Sequence, residues 1–194
     1  SRVPWHFFQE LLPLADRGHD LCVVSPELPE YTLPGIEFRR ITISSLWRNP
    51  LTAARSITAV AREWSSLPAI RGWDDTKAML ALGQWTALLR SEIQRFQPDI
   101  VHSHWAMPRG SAGYLAAKSE GVPLVMTLRG CEHLKSEQFG YGDCLDPFYE
   151  RTLRRALAAA DAITICCETS RRRLEELGIA GRSKKIIKIG RAHV

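Results

Sequence analysis

Residues 98–130, PDIVHSHWAMPRGSAGYLAAKSEGVPLVMTLRG, constrain the fold of this chain more than any other stretch, because a strand, a helix and a second strand follow one another there without a gap. Asp99 precedes the β-rich pair Ile100 and Val101, and the run ends on His102-Ser103-His104-Trp105. Gly110 and Ser111 open an alanine-rich helix, Gly121 closes it, and residues 123–128 form a second apolar run that stops at Arg129-Gly130. Two parallel strands joined through a helix cross over right-handed, and ligands of such sheets bind beyond the carboxyl ends of the strands. His104, Trp105, Arg109 and Arg129 are therefore expected to converge on one crevice.

The rest of the chain repeats this alternation. Strand-like runs occupy residues 21–25, 37–43, 99–103, 124–128, 162–166 and 185–187. Helical spacing of three or four links Phe7, Phe8, Leu11, Leu12 and Ala15, with Gly18 as the C-cap. The same spacing links Leu51, Ala54, Ile57, Ala61 and Trp64, and again Ala78, Leu82, Trp85, Leu89, Ile93 and Phe96. Asp146-Pro147 is an N-cap followed by proline at the first helical position, and a last helix spans residues 170–177 before Gly178. The expected fold class is α/β, a Rossmann-like doubly wound parallel sheet covered on both faces, with no internal boundary. Residues 130–146 read as a loop over the crevice, and Trp47, Trp64, Trp73 and Trp85 read either as helix-face core or as an interface.

Composition limits the function classes. No apolar run approaches the roughly 20 residues of a membrane helix. A net charge of +5, concentrated in Arg151, Arg154, Arg155, Arg171, Arg172, Arg173, Arg182, Lys184 and Lys185, suits phosphate-bearing ligands or an anionic membrane as well as a plain solvated face. Aromatic residues are not interleaved with these charges, which argues against nucleic acid as a partner. The five cysteines lack CxxC spacing and read as reduced thiols, pointing to a cytoplasmic protein. His102, His104, Cys131 and His133 fit zinc on ligand type alone, but the tight paired spacing of a structural site is missing, so no metal is expected.

Four patterns in order, RGHDLCVVSP, PDIVHSHWAMPRG, GVPLVMTLRG and ADAITICCETSRRRLEELGI, resemble the N-terminal, acceptor-side domain of GT-B retaining glycosyltransferases of family 4. The resemblance implies transfer of a sugar from a nucleotide-diphospho-sugar to a glycan or lipid-linked acceptor, with no cofactor and no catalytic metal. It places the donor mainly on a C-terminal domain outside this chain. It also implies catalytic roles for His104 and Arg129, and acceptor-binding roles for Trp105, Arg109, Gly110, Gly130, Glu132, Glu168 and Ser170. The chain departs from the family pattern at Arg129, where many relatives have histidine, and at Cys167, where many have serine. Arginine stays protonated and cannot serve as a general base, so an electrostatic role is expected of it.

Because the chain opens on a helix followed by a strand, the second half of a βαβ unit, residues 1–187 read as a partial domain whose first strand and glycine-rich turn lie upstream, and residues 188–194, which resemble a translated sequencing adapter, read as a non-native tail. Loss of that strand would leave its neighbours without a hydrogen-bonding partner. The family resemblance further implies polysaccharide or glycolipid biosynthesis, peripheral association with the inner face of the plasma membrane, and an inactive fragment. Two other readings compete: half of a GT-B-like sugar-nucleotide epimerase, and a non-catalytic basic Rossmann-like module that binds phosphate or anionic membrane.

Overall fold

The computed structural model describes residues 5–27, 33–42, 73–106, 110–179 and 185–189. Arg109, Trp47, the helix read over residues 51–64 and the tail 190–194 lie outside the described residues, as do the side chains of Phe7, Phe8 and Trp73. The chain divides into two compact units, Ser1–Pro50 and Leu51–Val194, where the sequence showed no boundary.

The first unit contains helix α1 (Trp5–Ala15) and strands β1 (Leu21–Ser25) and β2 (Ile36–Arg40). The strands pair in parallel, Leu21 opposite Ile36 and Ser25 opposite Arg40. β2 stops short of the expected residue 43 because the ladder ends with β1: Ile41 N still donates to Ser25 O at 3.0 Å, and Pro26 offers no N–H to continue it.

The described part of the second unit contains α2 (Trp73–Phe96) and then alternates β3 (Val101–His104), α3 (Ser111–Glu120), β4 (Leu124–Thr127), α4 (Pro147–Ala159), β5 (Ala162–Ile165), α5 (Glu168–Glu176) and β6 (Lys185–Lys188). Its sheet has the order β3-β4-β5-β6, all parallel. The described strands are parallel in both units, as expected of a Rossmann-like α/β fold. Among the described residues β3 is the outermost strand of this order.

Strands in sequential order with right-handed crossovers put α3, α4 and α5 on one face. Strand alternation aims Ser103, Met126 and Ile163, which are aligned in register, at that face. There Met126, Ile163, Ile165, Leu153, Leu157 and Leu174 are fully buried and form the main core. A smaller cluster of Met79, Leu82, Leu115 and Phe148 ties α2 to α3 and α4, and Trp85 packs against it, which places this tryptophan at the core rather than at an interface. The opposite side of the sheet carries His102, His104, Thr127 and Thr164.

Two helix starts set the loops around the site. Asp146 caps α4 as expected, its Oδ1 accepting from Phe148 N at 2.8 Å with Pro147 next. α5 begins at Glu168, two residues before the expected start, with extended Cys167 as its N-cap residue. Ser170, where the helix was expected to begin, lies inside its first turn, its hydroxyl bonding His133 and Cys167.

Candidate functional site

β3 and β4 end side by side, His104 opposite Thr127, and the chain leaves both strands at the same edge of the sheet. Trp105 N donates to Thr127 O at 3.0 Å, while its own φ of 59° turns the backbone away from the strand direction. That turn requires a glycine at 110: a Cβ there would stand 2.1 Å from Trp105 O. Trp105 and Gly110 are therefore brought together, whereas the placement of Arg109 lies outside the described residues.

Across the strand pair, Arg129 Nη2 lies 3.3 Å from His104 Nδ1. A guanidinium only donates, so Nδ1 is the acceptor and the imidazole carries its proton on Nε2. The His102 ring stacks 4.3 Å from that of His104, and His102 Nε2 meets Thr127 Oγ1 at 2.7 Å. Thr127 Oγ1 in turn bonds Thr164 Oγ1, so a polar row crosses β3, β4 and β5 beneath the Arg129 turn.

Glu132 was expected to bind the acceptor, but its side chain is only 1% exposed. Its carboxylate accepts from Arg129 N at 2.5 Å and from Gly130 N at 2.8 Å, which fixes the turn from which the guanidinium projects. Burial pushes this carboxyl up, yet His133 and the Arg129 N–H outweigh it, and the group titrates below its ordinary 4.5. His133 Nδ1 stands 3.9 Å from the carboxylate, and its Nε2 bonds Ser170 Oγ at 2.8 Å. Arg173 Nε donates to His133 O at 3.0 Å and Nη2 to Glu150 at 2.8 Å, anchoring the same turn to α5 and α4.

Ser170 is thus placed in the buried support of the site, and Glu168 lies exposed at the start of α5 with its carboxylate 3.6 Å from Arg171 Nε. His133 is held by Ser170 and does not join His102 and His104. Among the described residues no three His, Cys, Asp or Glu side chains converge as metal ligands. Sequence reasoning missed Thr127, Thr164 and Arg173. The Thr127–Thr164 pair could have been found, since the two threonines stand opposite each other near the ends of adjacent strands.

The five cysteines are free thiols in three distinct settings. Bonding from the Ser170 hydroxyl, then from its backbone N–H, holds the Cys167 thiol below its ordinary 9.0. Burial, reinforced by the Glu150 charge, pushes Cys144 up to about 11. Burial and then the Asp143 charge raise Cys131 as well. Near neutral pH, iodoacetamide is accordingly expected to modify Cys167 faster than exposed Cys131 and far faster than Cys144, as read by peptide mass spectrometry. Ser170→Ala should narrow, without abolishing, the advantage of Cys167 over Cys131, because the backbone N–H of residue 170 remains.

A parallel α/β unit that gathers an arginine, a histidine and an aromatic residue at adjoining carboxyl strand ends is a Rossmann-like ligand-binding domain. The family model described as glycosyl transferase 4-like domain matches residues 9–187, and the chain belongs to that family. It is 27% identical over 125 residues to a Bacillus subtilis protein provisionally named teichuronic acid biosynthesis glycosyltransferase TuaC, covering 64% of this chain and 30% of that one. It is 44% identical over 63 residues to the D-inositol 3-phosphate glycosyltransferase of Jonesia denitrificans, covering 31% of this chain and 14% of that one. A co-structure of S. aureus MnaA with UDP aligns at 16% identity and a TM-score of 0.40, over 84% of this chain and 41% of that one. The chain spans less than a third of the length of the two curated relatives. Among the described residues, no helix is long and apolar enough to cross a membrane.

Proposed function

We propose that this domain forms the acceptor side of a glycosyltransferase that moves a sugar from a nucleotide-diphospho-sugar to a glycan or lipid-linked acceptor with retention of configuration. The observation that carries the reading is the contact between Arg129 and His104 across the ends of β4 and β3. Departure of a nucleotide diphosphate builds negative charge on its oxygens, and a fixed guanidinium at the strand ends stabilises such charge without reorganising. His104, held with its proton on Nε2, is oriented as a donor toward a sugar or acceptor oxygen rather than as a base through Nδ1.

Trp105, Gly110 and Gly130 line the same edge, Glu168 flanks it from α5, and Arg109 is assigned to acceptor binding from the sequence alone. Glu132 and Ser170 act from beneath, by holding the turn. No metal or cofactor takes part. The enzyme acts in the cytoplasm and peripherally at the membrane. Residues 1–194 alone are inactive, because the donor half of the site lies on a further domain.

The test uses the product of the whole reading frame, incubated with a panel of nucleotide-diphospho-hexoses and lipid or glycan acceptors, with the anomeric configuration of the product read by NMR. Transfer with retained configuration is expected, and no transfer above background from residues 1–194 alone. An inverted product, or a donor epimerised without transfer, overturns the reading.

A further inference from the structure

We infer that Tyr141 forms a stacking subsite for a pyranose ring of the acceptor, presented by a rigid arm beside the turn that carries Arg129; this rests on the reading of the domain as an acceptor side. Tyr141 is 47% exposed and Phe139, two residues earlier, 77%. Single exposed aromatics are common on soluble proteins and need no explanation. What sets Tyr141 apart is its support and its position.

The backbone of Tyr141 is locked in both directions by Ser136: Ser136 N donates to Tyr141 O at 2.8 Å and Tyr141 N to Ser136 O at 3.0 Å. The next residue, Gly142, has φ 107°, and a Cβ there would lie 2.0 Å from Leu134 O, so a side chain at this point would push the arm open. Asp143 N donates to Cys131 O at 2.9 Å, and the buried Cys144 thiol to Glu132 O at 3.0 Å, which ties the arm back to the Arg129 turn. The ordering cost of this segment is met on folding, so a ligand does not bear it.

The position fits a sugar. A Cβ built on Gly130 would come 3.5 Å from the Tyr141 hydroxyl, which puts that hydroxyl against the residue following Arg129. Among the described residues the hydroxyl has no hydrogen-bond partner. A pyranose presents an apolar C–H face and a polar rim, and an anchored tyrosine presents an apolar ring with a hydroxyl at its edge. An anionic membrane is the poorer occupant: the arm carries Glu137 and Asp143, and its one cation, Lys135, is 3.5 Å from Glu150.

The experiment is saturation-transfer-difference NMR of residues 1–194 with methyl pyranosides of glucose, galactose, mannose and N-acetylglucosamine at high millimolar concentration. At least one glycoside is expected to show transfer concentrated on the C–H protons of one ring face. Tyr141→Ala is expected to reduce it roughly three- to tenfold, the worth of one aromatic contact, while Tyr141→Phe keeps most of it and Phe139→Ala all of it. Equal signals from wild type and Tyr141→Ala, or no transfer to any glycoside, overturn the subsite. In the whole enzyme, Tyr141→Ala should raise the acceptor KM and leave kcat nearly unchanged. Retaining transfer with a sugar signal indifferent to Tyr141 refutes the subsite alone; a Tyr141-dependent sugar signal without any glycosyl transfer refutes the glycosyltransferase reading alone.

Discussion

Glu132→Ala is expected to lower the stability of the four-stranded unit by about 3 kcal/mol, because it strips the acceptor from two main-chain donors at once. The carboxylate is buried, and the turn it holds is bonded to α5 through Arg173. In a domain of this size that loss corresponds to a fall in Tm of roughly 6–12 °C, measurable by circular dichroism at neutral pH. Glu132→Gln, which keeps one acceptor oxygen, should cost about half as much. The pH dependence has a definite sign. The folded carboxyl titrates below its ordinary 4.5, so its stabilisation is fully present above that value and fades as pH falls through the lower folded one. The gap in Tm between wild type and Glu132→Ala should therefore be constant near neutrality and narrow in acid below about pH 4.5. A Glu132→Ala protein that melts with wild type at pH 7 would mean that the turn does not depend on this clamp.

The clamp also marks where sequence reading reaches its limit. The alternation of residues 98–130 was enough to place His104 and Arg129 at neighbouring strand ends, because parallel strands joined by a helix leave one geometry open. Asp146-Pro147 predicted the start of α4 for a similarly local reason, a cap and a proline acting within one turn. Glu132 gave no such signal. A carboxylate that folds back onto N–H groups two and three residues earlier has no periodicity, and an isolated glutamate reads as an exposed, ligand-facing charge. Ser170 was equally silent: nothing in the local pattern shows that a buried histidine from the β4–α4 loop takes its hydroxyl.

In the whole enzyme, Arg129→Ala is expected to reduce kcat by roughly a hundred- to a thousandfold while leaving the fold intact. The separation follows from the geometry: Glu132 grips the main chain of residues 129 and 130, so truncating the Arg129 side chain leaves both of those bonds in place. The guanidinium and its contact with His104 are lost. Arg129→Lys restores a charge but not the planar, two-pronged donor, and should recover only part of the rate. His104→Ala removes the residue that the guanidinium orients, and combined with Arg129→Ala it should cost less than the sum of the two single losses, because the pair acts as one unit. Since a guanidinium does not titrate in the working range, the pH–rate profile of Arg129→Ala should keep the limbs of the wild-type profile at a lower plateau. Steady-state kinetics across pH, with a melting curve for each variant, reads all of these together. Wild-type kcat in a folded Arg129→Ala enzyme would remove Arg129 from the reacting centre and leave the strand-end arginine as a structural partner of His104.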